Sequence, residues 1–247
     1  MTLPAPADND EDLGLGHAPG DAHYRAYVGP SADYDLVAAM AFNLLTVLGL
    51  RQHHRLLDIG CGSLRVGRLL IPYLNRGGYC GLDPNAWLLR DGVEREVGHD
   101  QMRIKQARLI EATDAAALVA ENARFDYMLA QSIFSHTGKD LLGAWLDQAA
   151  VLLADTGALV ATYLPALSDT TRRGWIYPDC VEFSNDSLDA MAWARGLCFR
   201  PLDWHHPRQS WALFAKPGFP GLDTGLPLTW NDRFAAFDTA RQAPDDR

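Results

Sequence analysis

Hydrophobic positions along the chain alternate between helical spacing and short continuous runs. Apolar residues recur every three to four positions between Pro30 and Gly49, which predicts a helix over about 33–48. The run 55–59 is short and apolar, and a helical pattern begins after a Gly-Cys-Gly turn. A second apolar run, 79–83, completes a strand, helix, strand unit, whose strands we expect to be parallel with a right-handed crossover.

The same two patterns continue through most of the chain. Strands are predicted at 55–59, 79–83, 107–111, 125–130, 158–163, 199–204 and 210–216. Helices are predicted around 86–97, 140–153 and 186–196. Alternating strands and helices predict an α/β fold with a doubly wound, mostly parallel sheet of seven strands, preceded by an N-terminal helical segment. In such a sheet the functional crevice lies at the carboxyl ends of the strands.

Composition divides the chain into three parts. Residues 1–22 are predicted to form a disordered tail, and residues 23–216 a single domain. Residues 217–247 are a C-terminal extension rich in Gly and Pro, with a short helix predicted near 231–241. Within the domain, 164–185 contains Pro, Gly and aromatic residues without a clear period, and irregular segments of this length are usually functional.

Charge and cysteine usage exclude several classes of function. The 247 residues carry 31 acidic and 22 basic side chains, a net charge of −9 with no basic run, which disfavours nucleic acid as a partner. The four cysteines form no C-x-x-C pair, and no carboxylate and histidine cluster is evident, so we expect no metal. The N-terminus lacks an apolar signal or anchor, so a cytoplasmic protein without membrane attachment is expected, and homodimerisation is left open.

The turn Gly60-Cys61-Gly62 predicts a bound nucleotide-like cofactor. Two glycines let the backbone approach a ligand closely, and the helix that follows presents free N–H groups. A dinucleotide site would carry a third glycine at Arg65, and the carboxylate of Asp58 would repel a pyrophosphate. The same carboxylate attracts an ammonium and a sulfonium, which favours S-adenosylmethionine (SAM). The alternative is a tight turn without a ligand, in which Cys61 is only a small residue that fits.

Residues 57–62 resemble the first motif of the class I SAM-dependent methyltransferases, and the element order from about 33 to 216 resembles their fold. The resemblance implies that Asp83, 83 − 62 = 21 residues beyond the second glycine, binds the ribose hydroxyls. It also implies that Asp114 holds the adenine amino group, although Asp114 could instead cap a helix. Leu64 stands where the commonest form of the motif has a third glycine. The implied cofactor residues are Asp58, Gly60, Cys61, Gly62, Leu64, Arg65, Asp83, Pro84, Asp114, Ala115, Gln131 and Ser132.

Histidines at the carboxyl ends of strands are the candidates for a general base. His136 follows the fourth strand and is the first candidate, against the alternative that it only caps a helix or packs on the adenine. His205 and His206 lie in the turn between the last two strands, where a surface histidine is the simpler interpretation. The candidate acceptor-binding residues are Tyr27, Trp175, Tyr177, His205 and His206. Tyr24, Tyr27 and Tyr34 are interpreted either as part of a lid or as simple packing.

The leading hypothesis is an enzyme that transfers a methyl group from SAM to an O, N or C atom of a small molecule. A protein or peptide methyltransferase would need an open groove, whereas the aromatic segment 164–185 favours a covered pocket. A module that binds SAM without turnover and a nicotinamide-dependent oxidoreductase remain as alternatives.

Overall fold

The computed structural model describes residues 13–222, and seven strands in this part form one sheet. The strands are β1 (Leu56–Ile59), β2 (Tyr79–Asp83), β3 (Arg108–Glu111), β4 (Phe125–Ala130), β5 (Leu153–Tyr163), β6 (Cys198–Leu202) and β7 (Ser210–Ala215). Their order is β3-β2-β1-β4-β5-β7-β6, and only β7 runs antiparallel to its neighbours β5 and β6. The predicted seven-stranded, mostly parallel α/β fold is confirmed.

The helices of the described part agree with the hydrophobic pattern except where that pattern is weak. They are α1 (Tyr34–Val47), α2 (Gly67–Tyr73), α3 (Ala86–Gly92), α4 (His99–Lys105), α5 (Ala116–Ala120), α6 (Lys139–Leu152) and α7 (Asn185–Trp193). A π-helical turn, Val93–Val97, continues α3. Sequence analysis missed α4, which has no buried residue and therefore no apolar stripe, and α5, which has only five residues.

Alternating strand residues divide the core into two layers. Leu56, Leu129 and Leu213 pack with α1, α2 and the segment from α3 to α4, whereas Leu57 and Met128 pack with α5, α6 and α7 on the other face. Because a layer of helices covers each face of the sheet, the central strands carry apolar side chains on both faces, as strands of parallel sheets typically do. Trp211 is fully buried on β7, as expected for a structural residue.

The predicted tail is described only in part. Residues 13–22 form turns, in which Gly20 N donates to Ala26 O over 2.8 Å. Residues 1–12, most of the C-terminal extension and the helix predicted near 231–241 lie outside the described residues. The division into tail, domain and extension therefore stays a prediction. Between residues 13 and 222 no helix is both long and apolar enough to span a bilayer.

A buried ion pair fixes the segment before α1 to the rest of the domain. The Arg25 guanidinium lies 2.7 Å from Glu96 in the π-helical turn, and the two side chains are only 10% and 5% exposed. The same guanidinium lies over the ring of Tyr34, 4.6 Å from its centroid. Because a buried charge without its partner is costly, this pair holds the N-terminal segment in place.

Replacing Glu96 by Gln should destabilise the domain and loosen its N-terminal segment. The change removes the nearer counter-ion of the buried Arg25 charge and leaves only the largely exposed Asp35 carboxylate at 3.6 Å, which costs up to about 3 kcal/mol. Denaturant unfolding measures this loss, and limited proteolysis should show faster cleavage before residue 34.

The matched control is Glu121→Gln, which removes an equivalent carboxylate from an ion pair with Arg108 that is about half exposed. Solvent screens that pair, so its loss should change stability much less. Equal effects of the two variants would contradict the role assigned to Glu96.

Candidate active site

A cavity of about 690 Å³ lies at the carboxyl ends of β1, β2 and β4. This volume falls within the roughly 300–1,000 Å³ typical of small-molecule sites. The cavity adjoins the place where the strand order reverses between β1 and β4, which is where ligands bind in doubly wound sheets. Further walls come from the segment before α1, the loop after β5 and the turn between β6 and β7.

The turn after β1 brings the backbone close to two neighbouring segments. Gly60 has φ +64°, and a Cβ atom at this position would lie 2.1 Å from the Ile133 side chain. Gly62 has φ +53°, and its Cβ atom would lie 2.6 Å from Val28. Both positions therefore favour glycine, because the left-handed φ and the close approach of these side chains leave no space for a Cβ atom, and the Gly60 backbone lies on the cavity wall.

Asp83, the last residue of β2, connects the turns that follow β1 and β2. Its Oδ2 atom accepts a hydrogen bond from Gly62 N over 2.9 Å. Its Oδ1 atom accepts from Asn85 N over 2.8 Å and from Asn85 Nδ2 over 2.9 Å. Burial raises the pKa of the Asp83 carboxyl, although these hydrogen bonds oppose the shift. The arrangement holds a carboxylate at the cavity wall with one lone pair, on Oδ2, left for a ligand.

Asp58 is a buried carboxyl group that also lines the cavity. It accepts a hydrogen bond from the Tyr79 hydroxyl over 2.8 Å, and burial raises its pKa to about 7. A cationic ligand group beside it would favour the ionised form, because opposite charges attract strongly where water is excluded.

Arg65 supplies a positive charge on the wall of the same cavity. One guanidinium nitrogen donates to Val28 O over 2.9 Å, and another donates to Gln131 Oε1. Both partners are neutral oxygens, and burial lowers the pKa of Arg65 to about 10. A buried guanidinium bonded to uncharged groups can still bind an anionic ligand group.

His136 is held in one tautomer by the backbone. Its Nδ1 atom lies 2.7 Å from Asp179 O, which can only accept, so Nδ1 carries the proton and Nε2 of the neutral ring has a free lone pair. Burial lowers the pKa of His136, so the ring is neutral near pH 7. A neutral imidazole with a free nitrogen on a cavity wall can accept a proton from a ligand.

Aromatic side chains surround His136. The Tyr177 and Trp175 rings are nearly parallel, with centroids 6.2 Å apart, and the Tyr177 ring meets the His136 ring edge-on at 5.0 Å. The Tyr177 hydroxyl donates to Tyr27 O over 2.5 Å, which joins the loop after β5 to the N-terminal segment. This part of the cavity is therefore apolar and suited to planar groups.

Most of the residues singled out in the sequence line the cavity. They are Tyr27, Asp58, Gly60, Cys61, Arg65, Asp83, Pro84, Gln131, Ser132, His136, Trp175, Tyr177 and His206. Five others do not line it: Gly62, Leu64, Asp114, Ala115 and His205.

Each of these five has a local role that explains its position. Leu64 adopts φ +60° and buries its side chain in the core, whereas Gly62 acts through its bond to Asp83. Asp114 is exposed and its Oδ1 accepts from Ala116 N, the first residue of α5, and its role toward adenine stays a prediction. The buried Ala115 donates its N–H to Gln148, and the exposed His205 accepts a bond from Trp211 Nε1.

Several lining residues were not singled out as site residues. Ala112 and Thr113 line the cavity at the position where Asp114 was expected. The two positions differ by one or two residues along the chain, and hydrophobic periodicity does not locate a residue that accurately. Val28, Gly29 and Pro30 reach the cavity because Arg65 bonds to this segment, and the Gly-Pro pair was the available signal of a turn. Gln209 also lines the cavity, at the start of an antiparallel strand.

No set of three or more His, Cys, Asp or Glu side chains within residues 13–222 is arranged to hold a metal ion. The expectation that no metal is required stays a prediction.

Residues 57–159 match a family model described as a methyltransferase domain. No curated relative matches the chain. Among solved structures, magnesium protoporphyrin IX methyltransferase from Synechocystis with bound SAM has a TM-score of 0.55 at 10% identity, covering 75% of this chain and 81% of that one. The CcbJ methyltransferase from Streptomyces caelestis has a TM-score of 0.55 at 17% identity, covering 82% and 95%.

A Burkholderia thailandensis 1,6-didemethyltoxoflavin-N1-methyltransferase, with bound 1,6-didemethyltoxoflavin and S-adenosylhomocysteine, has a TM-score of 0.52 at 18% identity, covering 75% and 80%. At these identities the likeness concerns the fold.

Replacing Asp58 by Asn should flatten the dependence of stability on pH. Burial raises the pKa of Asp58 from 3.8 to about 7, so the folded chain holds a proton that the unfolded chain has released. The free energy of unfolding of the wild type therefore falls as pH rises through this window, whereas Asn has no proton to lose. Denaturant unfolding at about pH 5 and about pH 8, without ligand, measures the difference.

The control is Asp100→Asn, because the Asp100 side chain is 89% exposed. It should keep the wild-type pH dependence. An Asp58→Asn variant with that same dependence would contradict the shifted pKa.

Proposed function

We propose that the chain is a class I SAM-dependent methyltransferase that transfers the methyl group of SAM to an O, N or C atom of a small-molecule acceptor; the methyltransferase-domain match of residues 57–159 and the shared fold support this. One observation carries the proposal. A single cavity joins the glycine turn and carboxylates at the ends of β1 and β2 to a neutral histidine and an aromatic wall. The first group of residues, the glycine turn and the carboxylates, fits the cofactor. The second group, the histidine and the aromatic wall, fits an acceptor.

The residues of the first group fit SAM by charge and by space. Gly60 lines the cavity without a side chain, so its backbone can lie against a ligand, whereas Gly62 acts through its hydrogen bond to Asp83. We assign the ribose hydroxyls to Asp83, the ammonium to Asp58 and the carboxylate to Arg65. When bound, SAM supplies a sulfonium whose methyl group is open to nucleophilic attack.

The protein contributes mainly by positioning the acceptor and by removing a proton. Methyl transfer forms a bond from the acceptor to the methyl carbon while the bond from that carbon to sulfur breaks, and an acceptor O–H or N–H must also lose its proton. We assign the removal of this proton to His136 Nε2, and the hydrogen bond of Nδ1 to Asp179 O supports the assignment. An acceptor packed against the aromatic wall and the loop after β5 would displace water from around the reacting atoms.

The covered position of the second group supports a small molecule over a protein side chain. The Tyr177 hydroxyl ties the loop after β5 to Tyr27 O, and Gly138 N donates to Gly174 O in the same loop over 2.7 Å. These bonds leave a chamber in place of an open groove. Two fold relatives are also named for small molecules, a porphyrin and a toxoflavin precursor. A cytoplasmic location without nucleic-acid partners is part of this proposal.

Calorimetry with SAM and with NAD tests the cofactor assignment. SAM should bind, and NAD should bind orders of magnitude more weakly, because Asp58 and Asp83 repel a pyrophosphate. Asp83→Ala should weaken SAM binding at least about tenfold through loss of charge-assisted hydrogen bonds. In a metabolite extract the wild type should also form S-adenosylhomocysteine.

Asp100→Ala, which removes an exposed carboxylate far from the cavity, should bind SAM as the wild type does. Equal binding of NAD and SAM would overturn the cofactor assignment. SAM binding without formation of S-adenosylhomocysteine from any extract would instead favour a binding module.

Replacing His136 by Gln should slow methyl transfer while leaving SAM affinity nearly unchanged. Loss of a general base lowers kcat by about a hundredfold or more when the acceptor must lose a proton. The rate of S-adenosylhomocysteine formation measures kcat, and calorimetry measures SAM affinity.

His99→Gln is the matched control, because His99 is exposed at the start of α4. An unchanged rate in His136→Gln would remove the base from the mechanism and leave His136 as part of the aromatic wall.

A further inference from the structure

We propose that the acceptor is a flat aromatic molecule without net charge, and that its O–H or N–H group hydrogen-bonds to Gln209 Oε1. This inference rests on the proposed function and adds the chemical class of the acceptor. Three independent features of the cavity lead to it: the pairing of its charges, the exposed aromatic wall and two buried polar atoms without partners.

Arg65 is assigned above to the cofactor carboxylate, and the other charged side chains of the acceptor part of the cavity form a pair with each other. Arg208, in the turn between β6 and β7, lies 2.8 Å from Asp33 just before α1. The remaining polar lining residues there include Ser132, His136 and His206. Burial lowers the pKa of both histidines, so they are neutral near pH 7. A charged acceptor would therefore be desolvated without a counter-ion, which disfavours it.

The aromatic wall favours a flat ring over an aliphatic group. Trp175 is 53% exposed although it is a large apolar side chain, and it lies nearly parallel to Tyr177. Tyr27 meets Tyr177 from the other side, at 5.5 Å between centroids. An acceptor ring stacked on these faces gains both burial and the attraction between aromatic quadrupoles.

Gln209 presents a buried acceptor atom without a partner. Its Nε2 atom donates to Ser132 Oγ over 3.1 Å and to Ser135 Oγ over 3.2 Å. With Nε2 so placed, Oε1 is left buried with no hydrogen-bond partner. Native proteins rarely leave such atoms unpaired except where a ligand or another group completes them.

His206 presents the complementary atom from the same turn. Its Nδ1 accepts from Arg208 N over 3.1 Å and from Gln209 N over 2.9 Å, so in the neutral ring the proton lies on Nε2. That Nε2 is also buried and without a partner. A donor on His206 and an acceptor on Gln209, two residues of one turn that lines the cavity, match a hydroxyl group or a ring N–H beside a lone pair, such as a phenol or a cyclic amide.

Four naphthalene-derived compounds test these features in the wild type with S-adenosylhomocysteine bound, so that no turnover occurs. Calorimetry should show naphthol binding roughly tenfold tighter than methoxynaphthalene, which lacks the donor for Gln209 Oε1. Naphthol should also bind more tightly than decalol, which keeps the hydroxyl but has no aromatic ring, and more tightly than naphthoate, which is charged.

Two variants assign the preferences to residues. Gln209→Met should reduce the preference for naphthol over methoxynaphthalene to within about twofold, because the acceptor atom is gone. Trp175→Leu should reduce the preference for naphthol over decalol. The matched controls are Gln101→Met in α4 and Trp193→Leu at the end of α7, which lie outside the cavity and should keep the wild-type preferences.

Thermal melting shows whether each variant folds. If a variant does not fold, the ligand preferences of the wild type still test the proposal. Naphthoate binding more tightly than naphthol would overturn the neutral acceptor, and decalol binding as well as naphthol would overturn the aromatic one. A folded Gln209→Met variant that keeps the wild-type ratio of naphthol affinity to methoxynaphthalene affinity would overturn the role of Gln209. Failure of S-adenosylhomocysteine itself to bind would count against the proposed function, whereas normal binding with the wrong preferences would count against this inference alone.

Discussion

The carboxylate of Asp83 is the interaction on which the site depends. One oxygen fixes the turn after β1 through Gly62 N, and the other fixes the turn after β2 through Asn85. Two neighbouring parallel strands must each end in a tight turn, and their orphan N–H groups need an acceptor between them. A single buried carboxylate satisfies both, so the group that organises the turns is also the group that faces the cavity.

A chain of polar groups extends this organisation across the cavity. Arg65 donates to Gln131, Gln131 Nε2 donates to Ser132 Oγ, and Gln209 Nε2 donates to the same hydroxyl. Ser132 adopts φ +58°, an uncommon conformation that the bond from its N–H to Thr162 Oγ1 helps to hold. Because each partner fixes the orientation of the next, the cofactor part and the acceptor part of the cavity are mechanically connected.

The sequence predicted the sheet, its central helices and most of the cavity residues, because each depends on local pattern. Strand ends are set by apolar runs, so Asp58, Asp83 and His136 could be located at one edge. Asp114 does not line the cavity, and its role stays a prediction, because a shift of one residue decides which side chain after β3 faces the cavity. The pairing of Gln209 with Ser132 joins residues 77 positions apart and depends on β7 running antiparallel, which no local pattern encodes.

The two segments that close the cavity depend on the same residues as the cofactor part. Arg65 donates a hydrogen bond to Val28 O in the segment before α1. A few residues further along this segment, Asp33 pairs with Arg208 in the turn between β6 and β7. The loop after β5 joins this structure through Tyr177 and Tyr27 O. A ligand that draws the Arg65 guanidinium toward itself therefore acts on a residue that also bears the N-terminal segment. One side chain, Arg65, therefore joins the wall of the cavity after β1 to the segment before α1 that helps to close it, so the two ends of the cavity share a single buried support.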